Sequence, residues 1–324
     1  MKLTLTSKRA ALLAACMVAS TAHAQTWPAK PIRLIVPFAP GGNVDITART
    51  VGPELATILG QQVIVENKPG AGGTIGANEV AKSPADGYVL LVGSNSTVSV
   101  APALYPKNPY NPVKDFAPIS NLAEVPFVLV INPNVAANNV AELVKLAKDK
   151  PGQLTMASAG TGSSNHLVGE LFQSATGTKF THVPYKGSGQ ALVDLVGGQV
   201  NLLFDQLTSA SANIKANKLR ALAVSSAKRW TGFDNVPTFG EAGVRNFEIT
   251  NVTGLLAPAG TPQEVIAKLH GAVVKAVGSA AVRERFATLG VAPVGNQPGE
   301  FAAFIREDYA RWSRVVKDGN IQPE

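Results

Sequence analysis

Apolar and polar positions along this chain follow two alternating rhythms. Short β-branched runs recur at strand length, and the longer stretches between them place apolar residues every three or four positions. Residues 32–37 (IRLIVP), 63–65 and 88–92 read as strands, with helices at 44–59 and 74–82 between them. That βαβαβ order predicts a parallel sheet with helices on its faces. A second series follows, with strands at 127–131, 154–157, 180–183, 200–204 and 219–224 and helices at 140–148, 164–175 and 189–196. The tail reads as helices at 262–277, 281–289 and 299–317. The last of these carries Phe301, Phe304, Ile305, Tyr309, Trp312 and Val316 on one face, a stripe that belongs against a core.

Two α/β series without a flexible spacer predict two α/β lobes joined by hinge strands around a central cleft. The chain is expected to cross between lobes at 121–126 and to return at 223–227. Lobe one would then hold residues 25–122 and 226–324, and lobe two residues 123–225. A length of 324 residues suits two such units.

The first 24 residues read as an export signal. Lys2, Lys8 and Arg9 precede a short apolar stretch at 10–19, and Ala22-His23-Ala24 offers a small-residue cleavage site. Leu13-Ala14-Ala15-Cys16 offers a competing reading, cleavage and lipidation at Cys16. Cys16 is the chain's one cysteine, so cleavage after Ala24 would leave no thiol for a disulfide, a nucleophile or a thiolate metal site. The formal net charge is +7, but the segment 1–24 holds three bases and no acid, which leaves 26 bases against 22 acids, +4. These bases are scattered without a Lys/Arg run, which argues against nucleic acid as a partner.

Three glycine-rich turns follow a strand and open a helix, where an α/β sheet places its ligands and helix N-termini favour an anion. The first is PFAPGGNVD at 37–45, with Asn43 as a candidate N-cap and Asp45 in the first turn. The second is ASAGTGSSNH at 157–166, with Ser163 or Ser164 as the cap and Ser163, Ser164 and Asn165 as neutral donors. The third is VPYKGSGQ at 183–190, where Lys186 could supply a cation and Tyr185 a wall. A fourth glycine-rich stretch at 68–76 lacks dinucleotide or P-loop spacing and reads as a turn for close helix packing. Among His166, His182 and His270 no metal spacing exists, and no G-x-S-x-G elbow occurs, so the pattern suits holding a ligand rather than transforming it.

Several ordered motifs together carry a family resemblance: PIRLIVPFAPGGNVD, NKPGAGGTIGA, ADGYVLL, NPVKDFAPI, HVPYKGSGQALVDLVGGQV and LLAPAGTP. Over nearly the whole chain beyond the signal they resemble the Bug family, the extracytoplasmic solute receptors of tripartite tricarboxylate transporters. The resemblance implies a type II periplasmic binding protein, a monomer without cofactor that closes around a small organic carboxylate, either a di- or an aromatic carboxylate. It implies a membrane permease as partner, or in an alternative role a sensor kinase. The binding loops carried over are Phe38, Ala39, Pro40, Gly41 and Gly42 with Asp45, and Ala159, Gly160, Thr161, Ser163, Ser164 and Asn165. Ser94 at the cleft edge and Asp205 at the family's F-D position complete the set. The chain departs from the family at Asn251, Val252 and Thr253, where an aromatic pair is frequent, and at Gln206, where F-D-N is frequent.

Overall fold

The computed structural model describes residues 27–318 and residue 321. The signal at 1–24 and the lipidation reading at Cys16 lie outside the described residues. Ten strands form one curled, mixed sheet in the order β2-β1-β3-β9-β4-β7-β5-β6, with β8 and the two-residue β10 (Ala292–Pro293) also pairing β4.

In the first half, β1 (Ile32–Val36) pairs in parallel with β2 (Val63–Asn67) and β3 (Val89–Ser94). Four of the five β1 residues are buried, as in a parallel strand covered on both faces. The covering helices are α1 (Asn43–Leu59), α2 (Thr74–Ala81), α8 (Gln263–Gly278) and α9 (Ala280–Leu289). α1 buries Val44, Ala48, Val51 and Leu55 along one stripe and stops at Gly60, whose φ of 67° closes the helix left-handed. α8 buries Val265, Ile266, Leu269, Ala272, Val273 and Ala276 with the same period.

In the second half, β5 (Thr155–Ser158) pairs in parallel with β6 (Thr181–Pro184) and β7 (Leu202–Gln206). Its helices are α4 (Val140–Asp149), α5 (Ser164–Thr176), α6 (Ser188–Val196) and α7 (Leu207–Lys215). Phe172, Phe204, Phe239 and Phe247 form its aromatic centre, with ring centroids 5.2 Å apart for Phe172–Phe204 and 4.5 Å for Phe239–Phe247.

The two halves share β4 (Phe116–Ile131), a 16-residue strand. From Phe116 to Pro126 it runs antiparallel to β9 (Thr250–Pro258), and from Phe127 to Ile131 antiparallel to β7 and β8 (Arg220–Val224). The parallel sheet expected from the βαβ order is therefore a mixed one, because long-range partners close both halves antiparallel. The chain does not rejoin β4's first half directly after β8. Residues 225–249 intervene, and Phe239, Val244, Phe247 and Ile249 pack into the second core. At Thr250 the backbone comes opposite Pro126 and enters the first half.

β3 leads into a π-helical turn, Ser96–Val100, and a short α3 (Ala101–Leu104). The C-terminal α10 (Pro298–Asp318) straddles both cores: Phe301 and Ile305 pack in the first half and Trp312 in the second. Of the stripe read from the sequence, Phe301, Ile305 and Trp312 are buried, and Asp308 is buried among them.

Candidate functional site

Each glycine-rich turn ends in a helix whose first N–H groups have no partner within the helix. At the first turn the chain turns at Gly41, φ 86°, a value that favours glycine, and α1 begins after Gly42. Gly42 is the N-cap, and the expected cap, Asn43, is instead the first helical residue; its amide Nδ2 donates to Thr253 Oγ1 at 2.9 Å. Asp45 serves the turn from behind: its carboxylate accepts from Gly41 N at 3.0 Å, Arg49 Nε at 3.0 Å and Asn67 Nδ2 at 2.9 Å.

At the second turn Gly160 N donates to Ser158 Oγ, and Ser163 caps α5 by accepting from His166 N. Ser164 N donates to Ser96 Oγ at 2.9 Å, and the two hydroxyls lie 3.0 Å apart. Asn165 commits its amide nitrogen to Phe204 O at 2.8 Å and Asp205 Oδ1 at 3.2 Å. His166 is buried and stacks on His182 with centroids 4.1 Å apart. At the third turn Gly187 precedes α6 without a side-chain cap. The Lys186 side chain is exposed, and Tyr185 turns its hydroxyl to Asp194 at 2.7 Å, so neither offers the cation or wall considered for them.

These turns meet across the junction of the two halves. Ala39 N donates to Lys186 O at 3.0 Å, and Tyr105 OH to Thr161 O at 3.3 Å. Glycines let the backbones touch: a Cβ on Gly189 would lie 2.3 Å from Pro40 O, and one on Gly72 2.7 Å from Thr161 O. The 68–76 turn thus packs its helix and also abuts the second glycine-rich loop.

Between them lies a small, partly open cavity of about 20 Å³, room for about one water in this arrangement of the halves, lined by Phe38, Gly42, Asn43, Val44, Ser94, Ser96, Ala159, Asn165, Ser188, Gln206 and Asn251. No formally charged side chain lines it. Four helices, α1, α5, α6 and α7, each place a residue at or next to their N-terminus there, as does the π-helical turn with Ser96. The positive ends of four helix dipoles converge on a wall without charged side chains, a setting that stabilises an anion without a salt bridge.

Of the residues read from the sequence, Phe38, Gly42, Ser94, Ala159 and Asn165 line the cavity. Ala39, Pro40, Gly41, Gly160, Thr161, Ser163 and Ser164 build its turns and the contact between halves, and Asp45 and Asp205 stand behind. Asp205 is fully buried and accepts from Asn165, from Ser209 Oγ at 2.6 Å, and from Ser188 and the Gln206 backbone. Burial pushes its carboxyl up to about 6 against those hydrogen bonds, which favour the charged form. Asn43, Val44, Ser96, Ser188, Gln206 and Asn251 were not among the expected lining residues. Gln206 Nε2 donates to Asn251 Oδ1 at 3.4 Å, so the two departures from the family pattern meet in the cavity wall.

A larger groove, about 940 Å³, opens to solvent on the other side of β9, where Thr250 alternates with Asn251. It mixes Lys228, Arg229 and Arg311 with Glu248 and Asp308, and no set of helix N-termini converges on it.

Comparison with known proteins agrees with this geometry. Residues 47–321 match the tripartite tricarboxylate transporter family receptor. Protein BugT of Bordetella pertussis is 40% identical over 307 residues, covering 94% of each chain. The solved periplasmic binding protein BugD superposes with a TM-score of 0.89 at 34% identity, covering 92% of this chain and all of BugD. MatC of Rhodopseudomonas palustris, solved with bound malate, gives a TM-score of 0.87 at 36% identity, covering 90% of this chain and all of MatC. Such proteins are two-lobed substrate-binding proteins, not enzymes. With a matching family model over most of its length, a receptor's fold and close Bug relatives, this chain belongs to the tripartite tricarboxylate transporter receptor family of periplasmic solute-binding proteins.

Proposed function

We infer that the chain captures a small organic carboxylate in the cavity between its halves and, closed around it, delivers it to the membrane permease of a tripartite tricarboxylate-type transporter. Lobe one is read as residues 27–126 with 250–318, and lobe two as 127–249, because β4 changes partners after Pro126 and the second core holds the chain to Ile249. The observation that carries the reading is the convergence of four helix N-termini on a cavity between the halves that no charged side chain lines. A carboxylate there takes hydrogen bonds from backbone N–H groups and hydroxyls of both lobes, so the bound anion favours the closed form. The malate held by MatC supports the ligand class. Export to the periplasm through the segment 1–24 is part of the same reading.

A thermal-shift screen of mono-, di- and aromatic carboxylates tests it. A ligand at 100 times its dissociation constant is expected to add about 2.7 kcal/mol of stability. A screen in which cations or neutral sugars stabilise the protein and no carboxylate does would overturn the reading.

A further inference from the structure

Two stacked imidazoles stand behind the second glycine-rich turn. His166 on α5 is 2% exposed, and its ring lies on that of His182 from β6, with centroids 4.1 Å apart and planes 15° apart. Each is tied to the backbone of the turn. His166 Nδ1 accepts from Gly162 N at 3.3 Å. His182 Nε2 and Ser158 Oγ lie 2.6 Å apart, and Ser158 Oγ accepts from Gly160 N at 3.0 Å. The glycines held in this way are the ones that meet the first half: a Cβ on Gly162 would fall 2.6 Å from the Tyr105 ring, and one on Gly160 3.5 Å from Gly72 N. His166 is the third residue of α5, and its own N–H donates to the capping Ser163. A side chain at that place reaching back to the chain before the helix resembles the second half of a capping box, a position usually filled by Glu or Gln. Those side chains keep an acceptor throughout the neutral pH range. An imidazole keeps one only while neutral, because a protonated ring has two donors and no acceptor. Gly162 N–H therefore has its partner in the tautomer with the proton on Nε2, the nitrogen that lies 3.8 Å from Glu170 Oε1.

We propose that His166 is a positioning residue for ligand capture: its neutral ring holds the second turn in the shape that meets the first half, and its protonation releases the turn. This rests on the reading of the glycine turns as binding loops. The titratable groups around the ring and the turn are Glu170 on α5, His182 on β6 and, from the first half, Tyr105 at the end of α3; Asp205 lies beyond Asn165. Glu170 attracts a second proton to the ring, and the stacked His182 opposes two cationic rings at that distance. A proton on Nδ1 sets it against Gly162 N–H, donor to donor. Only the neutral ring supports binding, so affinity is full above the ring's titration and is lost as pH falls through it. Histidine is the side chain whose ordinary titration, near pH 6.5, makes such a change at mild acidity.

The test has two arms. The first needs no ligand. Long-range proton–nitrogen NMR of the protein at pH 8 should show His166 with its proton on Nε2, and on acidification the Gly162 amide signal should move with the His166 midpoint. A proton on Nδ1 at pH 8, or a Gly162 amide indifferent to that midpoint, overturns the proposal. The second arm is calorimetry with malate, succinate and benzoate at pH 8 and pH 5.5 on the wild type, His166→Asn and His166→Leu. Asparagine sets an acceptor near the place of Nδ1 and takes up no proton. It should bind as the wild type does at pH 8 and lack the wild type's extra loss at pH 5.5, which is about tenfold for a ring one pH unit below an ordinary midpoint. The acids' own carboxyls and Asp205 titrate in both chains, so the difference belongs to His166. His166→Leu removes the acceptor and should bind about tenfold more weakly already at pH 8. Equal pH dependence in the wild type and His166→Asn, or undiminished binding in His166→Leu, overturns the proposal and leaves the binding loops standing. If a variant does not fold, the wild-type NMR decides. Binding of none of the three acids counts against the carboxylate reading and leaves the NMR arm to decide for His166.

Discussion

Gly189→Ala separates folding from closure. Gly189 is the second residue of α6 and has no positive φ, so alanine fits its own lobe and raises helix propensity by up to about 1 kcal/mol. Across the junction the same methyl would sit 2.3 Å from Pro40 O and 3.0 Å from Gly41 C, both backbone atoms that no rotamer change can remove. Ordinary contact starts near 3.4 Å, so the turns must part by about 1 Å, stretching the 3.0 Å bond from Ala39 N to Lys186 O. Overpacking of this kind costs about 1–3 kcal/mol. The cost falls on the closed form alone and reduces the competent fraction, so apparent affinity should drop by roughly 5- to 150-fold. Paired calorimetry reads both sides: the ligand-free melting temperature should hold or rise slightly while the titration weakens. Unchanged affinity would refute the closed contact, and a large fall in the ligand-free melting temperature would show the glycine to matter within its lobe instead.

Ser96→Ala removes the hydroxyl that Ser164 N and Ser164 Oγ meet across the halves, and should weaken ligand binding about tenfold with little change in ligand-free stability, measured by the same pair of experiments. Ser163→Ala removes the α5 cap and should cost about 1 kcal/mol in a urea melt. Asp205 carries a pH signature. Its carboxyl is held at about 6 in the fold against 3.8 for an unburied group, so between those values the folded chain keeps a proton that the unfolded chain has lost. Its contribution should make the protein more stable as pH falls from 7 toward 4, the same direction as half-buried Glu124 and buried Asp308. The part of that slope absent in Asp205→Asn belongs to Asp205; an identical slope in the variant contradicts its raised titration.

The helices were legible because their apolar stripes are long: α1, α8 and α10 follow from period alone. β9 was not read as a strand, since TNVTGLLAP has no alternation; every residue after Thr250 is buried, and its partners lie some 130 positions away on β4. For the same reason the meeting of Gln206 with Asn251 could not be read, although both positions stood out as departures from the family pattern. Ser188 is legible in principle: it follows Gly187 at the start of a helix, as Ser163 follows Gly162, although the charge of Lys186 is the stronger local signal. Ser96 lies on a π-helical turn that no periodicity marks. Asn43 reads as a cap in sequence because capping is local, whereas the hydroxyl that claims its amide, on Thr253, comes from the far hinge strand.

A crystal structure of the protein with its tightest carboxylate tests the central claim most directly. The carboxylate is expected between the N-termini of α1 and of α5 and α6, within hydrogen-bond reach of backbone N–H groups from both lobes. A guest seated instead in the groove behind β9, or held through Lys186 or another charged side chain with the glycine turns apart, would contradict it.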